Sequence, residues 1–468
     1  MRFLAAVFAV LMGFELGLAT EKPNVLFICM DDLNEWVGCM GGHPQARTPN
    51  LDRLAESGVL FTNAHCVAPA CNPSRTAVFS GISPHISGLY RNTQVMREVL
   101  PEAQLLPKFL SDHGYKSIGS GKLLHYVIDA RSWDEYYPAK ETENPFPPHI
   151  PWGERPKSLP RGGPWQYVET DWHAFDMTDK EFGGDVKTAE FVAAQLAKEQ
   201  TQPFFLACGI YRPHEPWYNP KRYFDLFPLE TVQLPLGYHP GDLEDLPPSG
   251  KRRGPNRYFD HIRRNGQWRE AIRAYLASIA FADANLGRVL DALERSPHRD
   301  NTIVILWSDH GWHLGEKQHW QKFTGWRVCT RVPLIIRVPD GVTGLPQGTQ
   351  PGTRCNQPVD LLGLFRTIAD LCGLKPPASI GGRSYLPLLQ GGEVKWRHPA
   401  YTFLGTPGSL AISTETMRYI RYANGDEELY DIVLDPFEWK NLSNHTTQIK
   451  NLIEFRGLIP TKLNSSAD

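Results

Sequence analysis

Three short apolar runs constrain this chain more than anything else in it: Asn24 to Met30 (NVLFICM), Pro203 to Gly209 (PFFLACG) and Thr302 to Trp307 (TIVILW). Each is rich in β-formers, is bounded by polar residues, and lacks the alternation of a half-exposed strand. Such runs read as strands covered on both faces, the kind found in parallel sheets. Parallel strands need helical crossovers, and these are legible. Residues 48–60 read as a helix, with Thr48 as cap, Pro49 at the first position and Gly58 as terminator. Another helix starts at 73–81. Leu105 to His113 is closed by Gly114, 179–199 is amphipathic, and Leu361 to Cys372 ends at Gly373. A long helix over 268–295 places Ile272, Tyr275, Leu276, Ile279, Ala280 and Leu286 on one face. Lys116 to Gly119 and Val332 to Arg337 add strands. The alternation predicts an α/β fold: a large, mostly parallel sheet sandwiched by helices, over 20–375. Shorter pieces over 398–433 (YTFLG, MRYIRYA, ELYDI) predict a smaller C-terminal antiparallel-sheet subdomain within 376–468. The stretches 131–175 and 211–266 read as long irregular insertions, which in compact domains usually carry function.

Residues 1–19 read as a signal peptide: Arg2 leads, Leu4 to Met12 is apolar, and Gly17 and Ala19 are the small residues a peptidase recognises. An uncleaved anchor is the alternative, but Glu15 interrupts the run and it is short for a span. The expectation is a secreted or periplasmic protein beginning near Thr20, with no membrane span after signal removal. The 49 Lys and Arg nearly balance the 51 Asp and Glu, which gives no case for nucleic acid. The eight cysteines have neither a disulfide framework nor zinc spacing.

Two of the strands stop at acids: Asp31-Asp32 after the first run, and Asp309-His310 after the third. Ligands of open α/β sheets lie beyond the carboxyl ends of the strands. One Asp-Asp is commonly a turn or a cap. Three converging carboxylates repel unless a cation or protons neutralise them; recurrence at a second strand end favours a metal, and oxygen ligands suit Ca²⁺ or Mg²⁺. The third feature is Cys71-Asn72-Pro73-Ser74-Arg75, followed by Ser80-Gly81. Its plain reading is a buried cysteine beside a helix start.

C-x-P-S-R followed by a small residue and Gly resembles the formylglycine motif of type I sulfatases, within the alkaline-phosphatase superfamily. The resemblance runs in order through nearly the whole mature chain. It takes in the strand ending at Asp31-Asp32, TPNLDRLAESGVLFTNAH (48–65), Gly121-Lys122 with His125, and Tyr211-Arg212-Pro213-His214. It continues through Ser308-Asp309-His310-Gly311, Trp320-Gln321-Lys322 and ELYDIVLDPFEWKNL (428–442). Asp309-His310 stands where Asp-Asn is more frequent; that variant and the Pro-His loop resemble the iduronate-2-sulfatase-like branch.

The resemblance implies a metal site of Asp31, Asp32, Cys71, Asp309 and His310, with Ca²⁺ preferred to Mg²⁺ and His310 either a ligand or a hydrogen-bonding neighbour. It implies that a formylglycine-generating maturation enzyme oxidises Cys71 and that the hydrated aldehyde, polarised by Ca²⁺, attacks sulfur. Arg75 would orient position 71, and Lys122 and Lys322 would balance sulfate charge. His214 or Lys322 would protonate the departing sugar oxygen, with His214 favoured by its near-neutral pKa. His125 would take a proton as sulfate leaves. Without the resemblance, Lys122 reads as a solvated charge and His125 as a core histidine. The expected substrate is a sulfated oligo- or polysaccharide, with a 2-O-sulfated uronic acid implied by the branch. A phosphodiesterase or phosphonate monoester hydrolase and a non-catalytic glycan-binding relative are the competing readings. The basic segment Lys251 to Arg264 reads either as a polyanion-recruiting loop or as a solvated one.

Overall fold

The computed structural model describes residues 22–138, 156, 158–159, 170–391 and 394–461. The expected signal peptide lies outside the described residues, as does most of the 131–175 insertion.

Eight strands form the large sheet: β1 (Asn24–Met30), β2 (Val59–Phe61), β3 (Lys116–Gly121), β4 (Glu135–Tyr137), β5 (Phe204–Ile210), β6 (Thr302–Ser308), β7 (Leu334–Arg337) and β8 (Thr353–Cys355). Their spatial order is β8-β2-β7-β6-β1-β5-β3-β4. Only β7 runs against the rest, antiparallel to both β6 and β2. The sheet is mostly parallel, as the continuous apolar runs require, and every residue of β1, β5 and β6 is buried. Alternation still sorts the side chains by face. Val25, Phe27 and Cys29 pack with α2 (Cys71–Ser80), α3 (Leu106–Asp112) and α6 (Gly363–Leu371). Leu26, Ile28 and Met30 pack with α1 (Pro49–Glu56), α4 (Asp185–Leu196) and α5 (Trp268–Glu294).

Two of the expected helices are shorter than their sequence windows. The 48–60 window gives α1 and then β2, with Gly58 between them. The 179–199 window breaks at Gly183 and Gly184, both at positive φ, which separate a one-turn helix, Asp179–Phe182, from α4. Among the described residues, no helix is long and apolar enough to cross a membrane.

A separate four-stranded antiparallel sheet follows: β9 (Ala400–Phe403), β10 (Leu410–Ser413), β11 (Met417–Arg421) and β12 (Glu427–Asp431). It joins the main body through a buried polar seam. Arg418 Nε lies 3.0 Å from Glu438 Oε1, and its Nη2 donates to Thr330 Oγ1 at 2.6 Å. Glu428, fully buried on β12, accepts from Trp326 Nε1 (2.8 Å), Tyr430 OH (2.6 Å) and Tyr422 OH (2.6 Å).

Candidate active site

The parallel register sets Met30 opposite both Ser308 and Ile210, so the chains leaving β1 and β6 emerge side by side. Asp31, Asp32 and Asp309 therefore meet, each with one carboxylate oxygen within 4.8 Å of the others. Asp32 adopts φ 61°, a left-handed conformation that Asp tolerates better than most residues. Its N–H donates to Asp309 Oδ1 (3.1 Å), and its carbonyl accepts from Tyr275 OH (2.8 Å).

Lys122 enters from the end of β3. There Gly121 and Gly209 allow a backbone approach that side chains would block. A Cβ on Gly121 would lie 2.1 Å from the Gly209 carbonyl oxygen, and one on Gly209 would lie 2.1 Å from that of Lys122. Arg75, on the second turn of α2, ties the acids together. Its Nη2 meets Asp31 Oδ1 at 2.9 Å, its Nε meets Asp309 Oδ2 at 2.8 Å, and its Nη1 donates to the Lys122 carbonyl at 2.7 Å. Lys122 Nζ closes on the other oxygen of Asp31.

Cys71 is the first residue of α2, where the helix dipole favours negative charge. Lys322 Nζ lies 3.0 Å from its Sγ, His310 Nε2 3.3 Å and Lys122 Nζ 4.0 Å, and His125 hydrogen-bonds to it. This sets it apart chemically. All eight cysteines are free thiols, and burial pushes the other seven up. Burial would also raise Cys71, but Lys122, Lys322 and His310 outweigh it and hold its thiol well below the ordinary range.

His214 presents Nε2 at 3.6 Å from Asp32 Oδ2, while its Nδ1 is fixed on the Glu215 carbonyl at 2.6 Å. Burial opposes its protonation, yet Asp32 raises it overall. His125 goes the other way: burial lowers it, against the pull of Cys71. Lys322 also contacts Asp32 Oδ1 at 2.8 Å and sits between Gln321 and Phe323, both at positive φ. Strained backbone of this kind concentrates at functional loops.

The residues present fit a hard divalent cation. Asp31, Asp32 and Asp309 offer oxygen donors, and Asp32 Oδ2 is buried without a hydrogen-bond donor. Arg75 and Lys122 use part of Asp31, but a carboxylate has about four lone-pair sites and can serve both. His310 Nε2, 3.5 Å from Asp309 Oδ2, lies at the edge of this set.

All ten sequence-selected residues thus converge on one centre. Sequence spacing gave no role to several others. Ser74 Oγ donates to the Asp309 carbonyl at 2.6 Å, and Tyr126 and Tyr211 place their rings 5.0 and 5.2 Å from Lys122 Nζ. Glu215, fully buried, joins Thr170 (2.9 Å) and Gln321 (3.3 Å) behind His214 and Lys322. Ser74 and Tyr211 lie inside the quoted motifs, which was their only signal.

The sequence profile described as Sulfatase matches residues 23–374, and the one described as N-sulphoglucosamine sulphohydrolase, C-terminal, matches 315–456. The chain belongs to the sulfatase family. A Formosa agariphila protein named sulfatase is 37% identical over 96% of this chain and 88% of its own length. Human iduronate 2-sulfatase is 30% identical over 76% of this chain and 70% of its own. Among solved structures, a 2-O GAG sulfatase superposes with a TM-score of 0.69 at 26% identity, covering 94% of this sulfatase and 91% of that chain.

Proposed function

We propose that this sulfatase hydrolyses sulfate esters on a carbohydrate, using a nucleophile made by oxidising Cys71, and that a 2-O-sulfated uronic acid is the group it attacks. The carrying observation is the placement of Cys71 Sγ at a helix N-terminus, 3.0 Å from Lys322 and 3.3 Å from His310, beside three carboxylates. The sulfur marks where a formylglycine hydroxyl, the attacking oxygen, would sit. Calcium held by Asp31, Asp32, Asp309 and the residue at 71, with His310 as a fifth partner, would polarise that hydroxyl and a sulfate oxygen. The 2-O preference is supported by the likeness to human iduronate 2-sulfatase and to the 2-O GAG sulfatase.

The side chains divide the work. Arg75 holds Asp31 and Asp309 at fixed separation and fixes the backbone behind Lys122. Lys122 and Lys322 place positive charge beside the sulfate oxygens, whose negative charge it balances in the transition state. His214, with Nδ1 occupied by the Glu215 carbonyl, has Nε2 free to give a proton to the sugar oxygen as its bond to sulfur breaks. His125, adjacent to position 71, accepts the proton released when sulfate departs. A formylglycine-generating enzyme is required for maturation, and export would bring the protein to its polysaccharide.

The test is a sulfate-release screen on defined sulfated oligosaccharides, with protein co-produced with a formylglycine-generating enzyme and the mass of the Cys71 peptide checked. Release from 2-O-sulfated uronates, lost in Cys71→Ser and on chelation, is the expected result. Near-wild-type turnover by Cys71→Ser would sink the mechanism, and a rate indifferent to chelation would remove the metal. Preference for a phosphodiester model ester over a sulfate ester would replace the reading with a phosphonate or phosphodiester hydrolase.

A further inference from the structure

A groove of about 810 Å³, within the usual range for a ligand site, opens between α6 and the start of β9. Arg366, Arg383, Lys395 and His398 line it, with Trp396 and Tyr401 as aromatic walls. Among the described residues, Arg366, Arg383 and Lys395 have no carboxylate partner. The acid in the lining, Asp360, is occupied by the backbone, accepting the Tyr401 N–H at 3.0 Å. Arg366 donates one Nη2 hydrogen bond to the Ile380 carbonyl (2.6 Å) and leaves its Nε buried without a partner. Trp396 is fixed by its indole N–H on the Pro358 carbonyl at 2.9 Å, with His398 edge-on at 5.2 Å. Basic groups gathered in one concave surface repel each other unless an anion enters. Guanidinium groups match sulfate and carboxylate geometry, and fixed aromatic rings offer flat apolar area to sugar rings.

A second groove of about 310 Å³ shares Asp360, Leu362 and Tyr401 with the first and continues to Val67 and His85, whose ring stacks on Phe403 at 4.4 Å. The combined trough suits an extended chain better than a single sugar. It is distinct from the catalytic centre. None of the residues lining either groove is among the ten that converge on that centre.

We propose that this trough is a second, non-catalytic binding site for a sulfated, uronate-bearing polysaccharide, which holds the polymer while the catalytic centre acts elsewhere along it. The ligand class rests on the carbohydrate-sulfatase reading above. The double variant Arg383→Glu/Lys395→Glu changes two exposed side chains, and its melting temperature should match wild type. Its affinity for dextran sulfate and heparin in affinity electrophoresis should fall by about tenfold or more, because one of two attachment points is lost. Turnover of a small aryl sulfate should be unchanged. Neutral dextran should not bind, and polyglutamate of equal charge should compete poorly. Undiminished binding of dextran sulfate by the double variant overturns the proposal. Equal competition by polyglutamate also overturns it, as it would show a surface reading charge alone. Failure of the carbohydrate reading shows separately, as a wild-type enzyme that cleaves the aryl sulfate but releases no sulfate from any saccharide.

Discussion

Asp32 and Glu428 are both fully buried carboxylates, and they are treated in opposite ways. Glu428, in the seam under the small sheet, has both oxygens satisfied by neutral donors that cannot move away: Trp326, Tyr422 and Tyr430. Asp32 has one oxygen on Lys322 and the other without a donor. Arg418 and Arg75 differ instead in what they hold together. Arg418 binds the small sheet to the loops ahead of β7, whereas Arg75 spaces two acids that face an open centre. A buried charge whose partners are complete holds a fold together. A buried charge left incomplete has room for chemistry.

The comparison can be broken by mutation. The largest effect is expected from Asp32→Asn, with sulfate release falling on the order of 10³-fold while the urea midpoint stays near wild type. Substantial residual turnover would show that Asp32 is another structural acid. Next is Arg418→Met, which strands Glu438 and should cost about 3–5 kcal/mol of stability in urea unfolding. Turnover per folded molecule should hold at the wild-type value, and a fall in it would tie the seam to catalysis. Glu428→Gln should cost less, about 1–3 kcal/mol, because an amide cannot accept from all three donors. A stability unchanged in that variant would mean the donors find water instead. The smallest effect is thermal: millimolar Ca²⁺ should raise the melting temperature by a few degrees through binding to the native state alone. The same rise should occur in Glu428→Gln and vanish in Asp32→Asn; its survival there would place the ion elsewhere.

Much of this was written in the sequence. The runs Asn24 to Met30 and Thr302 to Trp307 announced doubly covered strands, and the acids that stop them announced the carboxyl edge. The direction of Leu334–Arg337 was not legible, because a short apolar run reads the same whether its strand is parallel or antiparallel. The edge strand Thr353–Cys355 has too few apolar residues to register. Within the site, Asp31, Asp32, Asp309 and His310 could be reached from strand ends alone. Lys122, His125, His214 and Lys322 could not: their partners lie tens to hundreds of residues away, and only a motif resemblance gathered them. The Glu215 network escaped both routes, since a single Glu beside a Pro has no periodicity or spacing to betray it.

One feature of α2 bears on how the molecule comes to exist. Every residue from Cys71 to Ser80 is buried, the motif arginine included. No second protein can grip C-x-P-S-R once these ten residues are seated beneath the sheet. Any enzyme that alters Cys71 must therefore reach it while the chain is still open, during or just after synthesis. The final fold would then seal the result, and molecules that closed too early would keep the thiol. Under the maturation proposed above, the active fraction of a preparation would record a race between folding and modification, fixed before the first substrate arrives.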